Sequence, residues 1–124
     1  MRMWMVDPEI MCQKHLCGEH VELHMFLSHL KLRRKIQGYI KNNCLEPASI
    51  WKRHSAIATE MLRRDYKHKS PMLIGECLCV IDLPNDQYLF TIDKKASLEE
   101  LLKRCPKCRE RYLQKKMEGW SSMV

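Results

Sequence analysis

Several signatures are missing from this chain, and each absence removes a class of function. There is no G-x-x-x-x-G-K-[ST], no G-x-G-x-x-G and no G-x-S-x-G. Readings as a nucleotide hydrolase, a dinucleotide enzyme or a serine hydrolase therefore have nothing to stand on. No apolar run approaches the roughly twenty residues that a membrane span needs. Asp7, Pro8 and Glu9 interrupt the amino-terminal segment before the apolar core of a secretion signal can form. The expectation is a cytoplasmic protein with no membrane partner. No internal repeat and no low-complexity segment is present. The seven cysteines are odd in number, which argues against a complete disulfide framework. In a reducing compartment they are thiols or metal ligands.

What is present fits one domain. A chain of 124 residues can bury a core without staples. The 22 Lys and Arg outnumber the 15 Asp and Glu, for a net charge of +7. Such an excess suits a polyanionic partner, although it also describes a merely soluble basic protein. The periodicity is mainly helical. Asp7-Pro8 reads as the start of a first helix reaching Leu32, with Leu16, Leu23, Leu27 and Leu30 on one stripe. "GYIKNN" reads as a short helix end or connector. "EPASIWKRHSAIATEMLRRDYKHKSP" reads as a second long helix ending near Asp65, with Ile50, Ile57, Met61 and Leu62 inward. Between about 77 and 92, β-branched and aromatic residues flank a Pro-Asn-Asp turn, which allows a short hairpin. "SLEELLKRCPKCRERYLQKK" reads as a third helix, capped by Ser97 and Glu100 and broken or kinked at Pro106. "MEGWSSMV" has no pattern and is expected to fray.

Three groups of side chains carry possible chemistry. His15, Glu22 and His29 share one side of the first helix beside the leucine stripe. A carboxylate at such a boundary tends to be paired or functional, because burying it alone is costly. Cys17, His20 and His24 point another way and lack a clear fourth zinc ligand. Cys77, Cys79, Cys105 and Cys108 make a stronger four-thiolate candidate, because "CPKC" has chelating spacing. Packed, reduced cysteine is the plain alternative. Arg2, Lys14, Arg33, Arg34, Lys35, Arg53, Arg63, Arg64, Lys67 and Lys69 supply cations that can track phosphates if they converge, or a solvated surface if they do not.

"HLCGEHVEL" resembles the first helix of the pyrimidine-dimer DNA glycosylases typified by phage endonuclease V, in which a His-Leu pair leads to Glu-x-x-Glu-Leu. "TEMLRRDYKHKSP" resembles the end of a later helix in that family, and "LEELLKRCPKCRERY" its last helix more weakly. The start "MRMW" fits in order and spacing. The resemblance implies a compact, mostly α single domain over residues 1–124, acting on damaged double-stranded DNA as glycosylase and abasic lyase. It implies a monomer without cofactor, in a bacterial cell or a phage-infected host. It sets Met1 on the nucleophile position, Arg2 on an early phosphate-binding arginine, His15 on the helix histidine and Glu22 on the catalytic glutamate. With a bulky Arg2 following, Met1 is expected to be retained. Arg33, Arg34, Arg63 and Arg64 are the further phosphate candidates. An α-amine as a class titrates near 7.7–8.0, against about 10.4 for lysine, so a useful fraction is nucleophilic at neutral pH. Two family arginines near the glutamate are here Val21 and Met25. The aromatic-rich final segment is replaced by "CPKCRERY", with only Tyr112 matching. These departures bear on the lesion recognised more than on lyase chemistry. The alternative is a non-catalytic nucleic-acid-binding module, with zinc on the late cysteines and a structural Glu22. A third reading keeps the amine but takes another modified base or RNA.

Overall fold

The computed structural model describes residues 1–68 and 70–122, with side chains through residue 119. Lys69, Met123 and Val124 lie outside the described residues. Among the described residues the chain is mainly helical and contains no strand. The helices are α1 (Gln13–Lys31), α2 (Gln37–Lys41), α3 (Ile50–Arg63), α4 (Asn85–Tyr88), α5 (Lys94–Arg104) and α6 (Pro106–Ser122). Tighter 3₁₀ turns cover Pro8–Ile10, Pro47–Ser49 and Ile74–Asp82.

α1 packs on α3, α5 on α6, and α6 on the Pro8–Ile10 turn. The leucine stripe of α1 is buried as its spacing predicts, together with Phe26, and shares one core with Ile50, Ile57 and Met61 of α3. Leu62 departs from its expected place and is exposed. The first six residues form no regular element but are packed: Met3, Trp4 and Val6 are buried, and the Met3 N–H donates to the Cys44 carbonyl at 2.7 Å.

Several boundaries differ from the sequence expectation. Asp7 caps only the short Pro8–Ile10 turn, its carboxylate accepting from the Glu9 N–H at 3.0 Å. The long helix starts afresh after Cys12, whose sulfur accepts from the His15 N–H. The expected hairpin is absent: Ile74–Asp82 is a 3₁₀ turn that buries Cys77 and Val80, three positions apart. A three-residue repeat needs apolar residues at i and i+3, and this stretch supplies them as well as it supplies strand alternation. Asp93, rather than Ser97, caps α5. Ser97 is buried inside the helix, and its hydroxyl donates to the Trp4 carbonyl at 2.5 Å. Pro106 does break the last helical stretch, ending α5 at Arg104 and opening α6. α6 then continues to Ser122, so Met117–Ser122 is helical rather than patternless.

Candidate active site

The first residues run along α1 in the opposite direction, and two glutamates three positions apart hold them there. At Glu19, which is only 1% exposed, the carboxylate accepts from the Trp4 N–H at 3.0 Å. Arg53 of α3 closes on the same carboxylate, with Nε at 2.5 Å and Nη2 at 3.0 Å. Its Nη1 donates to the Val6 carbonyl at 2.6 Å. Both charges are out of water, so each is tolerable only because the other is present.

One turn further along α1, Glu22 faces the start of the chain. Its Oε1 lies 3.9 Å from the Met1 amine, and its Oε2 accepts from the Arg2 N–H at 3.4 Å. The Glu22 side chain is 30% exposed and the Met1 end 13%, so the pair sits at a boundary open to a ligand. The Arg2 guanidinium lies 3.9 Å over the Trp4 ring. Its Nε is buried without a hydrogen-bond partner among the described residues. Val21 and Met25, where arginines were noted in the resembling family, are 55% and 45% exposed. They give this side of α1 an apolar surface.

His15 stands edge-on to Trp4, ring centroids 5.8 Å apart. Burial, reinforced by Lys14, lowers its pKa, while Glu22 pulls the other way. Its Nδ1 is 3.2 Å from Cys12 Sγ and 3.8 Å from Cys108 Sγ. Cys105 and Cys108 thus gather with Cys12 and His15. Cys77 and Cys79 lie instead on the Ile74–Asp82 turn, and Cys79 points at the Glu76 carbonyl. On a strand a C-x-C pair faces one way; on a 3₁₀ turn, with about three residues per turn, it diverges. His20 and His24 meet His54 and His68 rather than Cys17. Burial and the other three imidazoles bring the pKa of His20 down to about 4.

The cations divide. Arg33, Arg34 and Lys35 follow α1 and line a cleft of about 670 Å³ with Gln37, Asp82 and Gln87. Arg33 adopts a left-handed backbone (φ 55°), which ends the helix and turns the basic run outward from its axis. Arg63 is 57% exposed while pairing with Glu60 at 2.5 Å. Arg64 is bound inward, to Glu60 at 2.6 Å and to the carbonyls of Pro8 and Met11 at 3.1 and 2.8 Å. Arg53 belongs to the buried pair, away from any phosphate path. Sequence reasoning missed the Glu19–Arg53 anchor. The available signal was Glu19, three residues before Glu22 and on the same helix face.

A model of the family described as pyrimidine dimer DNA glycosylase matches residues 1–73, from the first residue past the end of α3. The chain belongs to the pyrimidine dimer DNA glycosylase family. No curated protein and no solved structure matches it. The family match thus covers both members of the Met1–Glu22 pair and the Glu19–Arg53 anchor, and stops before α5 and α6. Among the described residues no helix is long and apolar enough to cross a membrane.

Proposed function

We propose that the protein is a DNA glycosylase with abasic lyase activity, using the α-amine of Met1 as nucleophile and Glu22 as its acid–base and electrostatic partner. The observation that carries this reading is the Met1 amine held 3.9 Å from the Glu22 carboxylate by a segment anchored at Trp4. The neutral amine adds its lone pair to C1′ of the damaged nucleotide. The bond from C1′ to the base breaks, and the base leaves with the electron pair and takes up a proton. The new ammonium then loses a proton, its lone pair forms the C1′–N double bond as the C1′–O4′ bond breaks, and O4′ takes up that proton, which leaves a ring-opened iminium. Glu22 offsets that positive charge in place. The same carboxylate then accepts a C2′ proton, and β-elimination expels the 3′ phosphate oxygen.

The site needs the nucleotide outside the helical stack, and duplex distortion costs energy that phosphate contacts offset. Arg2, with its unpartnered Nε, and the Arg33–Arg34 run are the first choices for those contacts. Arg63 adds an exposed cation at the end of α3, and Arg64 holds the loops behind it. His15 stands near enough to Glu22 to share its field and takes a substrate-positioning role. The duplex is bound by a monomer. The family match supports a pyrimidine dimer or a related lesion as the substrate class, and the exposed Val21 and Met25, in place of an arginine pair, are where the lesion preference of this chain would differ.

The test is a duplex carrying one site-specific pyrimidine dimer, with abasic and undamaged duplexes beside it. Strand scission at the dimer and at the abasic site supports the proposal. Binding to all three duplexes with no scission at either lesion would point to the binding-module reading instead.

A further inference from the structure

Cys12, His15, Cys105 and Cys108 place one ligand atom each within 4.8 Å of all the others. The Cys12–Cys105 sulfur separation is 3.7 Å, and His15 Nδ1 lies 3.2 and 3.8 Å from Cys12 and Cys108. Four ligands around zinc, with bonds of about 2.3 Å to sulfur and 2.0 Å to nitrogen, stand about 3.4–3.8 Å apart. The three thiols are buried, and each sulfur accepts a backbone N–H: Cys12 from His15, Cys105 from Cys108, and Cys108 from Cys12. Such donors suit thiolates. Cys12 caps α1 and Cys105 immediately precedes α6, so two helix N-termini aim their positive ends at the group. The pattern repeats at both, as C-x-x-H and C-x-x-C, with the second ligand on the third helical residue. Cysteine is not a favoured helix cap; a metal-bound thiolate explains its use twice. Gathering several thiolates in a buried place without a cation is costly.

We propose that these four residues form a structural zinc site, joining the start of α1 to the α5–α6 junction. Binding of zinc through Nδ1 of His15 leaves its Nε2 available to the substrate role given above. The ligand set is closed, with no position for a reactive water, so its contribution is to folding rather than to bond breaking.

A different observation carries a second cation site. Nε2 of His20 lies 3.1 Å from that of His54 and 2.8 Å from that of His68, and Nε2 of His24 lies 3.1 Å from that of His54. Each Nε2 has one in-plane proton or one lone pair. It cannot serve two neighbours at once, whereas a shared cation takes a lone pair from each. The Ser70 carbonyl oxygen lies 3.0 Å from His24 and 3.1 Å from His54. We infer that His20, His54 and His68, whose ring nitrogens lie within 4.8 Å of one another, bind a divalent first-row cation through nitrogen, with His24 packed beside them.

Both sites are tested on the full chain, purified without chelator and analysed for metal by mass spectrometry, and on chain produced in cobalt medium. The expectation is zinc with one equivalent in the cysteine site and a second cation in the histidine site. Cys105→Ala/Cys108→Ala should lose the first alone, and His54→Ala/His68→Ala the second alone. Cobalt protein should show an intense thiolate-to-metal charge-transfer band, a readout that needs no variant to fold. Metal-free protein with no such band after cobalt growth would overturn the thiolate site. A stoichiometry unaltered by the histidine replacements would overturn the imidazole site.

Discussion

In the proposed reaction Glu22 and Met1 carry the chemistry, and Glu22 holds both the Met1 amine and the Arg2 N–H. Glu22→Gln keeps the shape and the Arg2 contact but removes the charge that would face the iminium. Turnover on a dimer-containing duplex should fall by about 10²–10³, the usual effect of losing a preorganised electrostatic partner. Binding measured on the same duplex should change little. Near-parental single-turnover rates in this variant would remove the carboxylate from the mechanism. Glu60 has a different, purely structural role. Hydrogen bonds from Arg63, opposed by burial and assisted by Arg64, hold its pKa down to about 2, against an ordinary 4.5. The folded pKa is the lower one, so the stabilisation is complete above about pH 4.5 and is lost as pH falls toward 2. Urea unfolding between pH 6 and pH 3 should show an acid-dependent loss that is smaller in Glu60→Gln. Identical pH dependence in both proteins would contradict this assignment.

Elements were legible where one face repeats with helical spacing. The α1 stripe and most of the α3 face are buried as read, because period 3.6 has few competing explanations over four turns. The Ile74–Asp82 turn was not, because "CLCVID" satisfies both strand alternation and a three-residue repeat, and tertiary packing against α1 decides between them. The start of α1 was misplaced because Cys12 is not an ordinary capping residue. At the site, Met1 and Glu22 were marked by family resemblance. The anchor was not, since Glu19 and Arg53 stand 34 positions apart and only folding brings them together. That anchor gives the element-scale prediction. Arg53→Met leaves Glu19 buried without its cation and should destabilise the chain by about 3–5 kcal/mol in chemical unfolding. Replacing both, as Glu19→Leu/Arg53→Met, should recover part of that loss. A cost below about 1 kcal/mol for Arg53→Met would mean the pair does not hold the amino-terminal segment.

Across the whole molecule, the proposed function requires the basic surface and the amino-terminal end to serve one ligand. Neutralising Arg33 and Arg34 together should weaken binding to damaged and undamaged duplex alike, and lower the salt slope by up to about two units. Unchanged affinity and slope would make the cleft a solvated face only. Chelation should lower the melting temperature, through the cysteine site, while amine chemistry persists below that temperature. The sequence sets Cys105 and Cys108 with Cys77 and Cys79, whereas the fold gathers them with Cys12 and His15, a grouping hidden in the sequence because Cys12 and Cys105 lie 93 positions apart. The most direct test of the central claim is borohydride trapping on an abasic duplex, comparing the chain with a free Met1 amine and the same chain acetylated there. The free amine should yield a covalent protein–DNA adduct, with the attachment mapped to Met1 by mass spectrometry, and the acetylated chain should yield none while still binding DNA. An adduct of equal yield from the acetylated chain, mapped to a lysine, would contradict the assignment of Met1 as nucleophile.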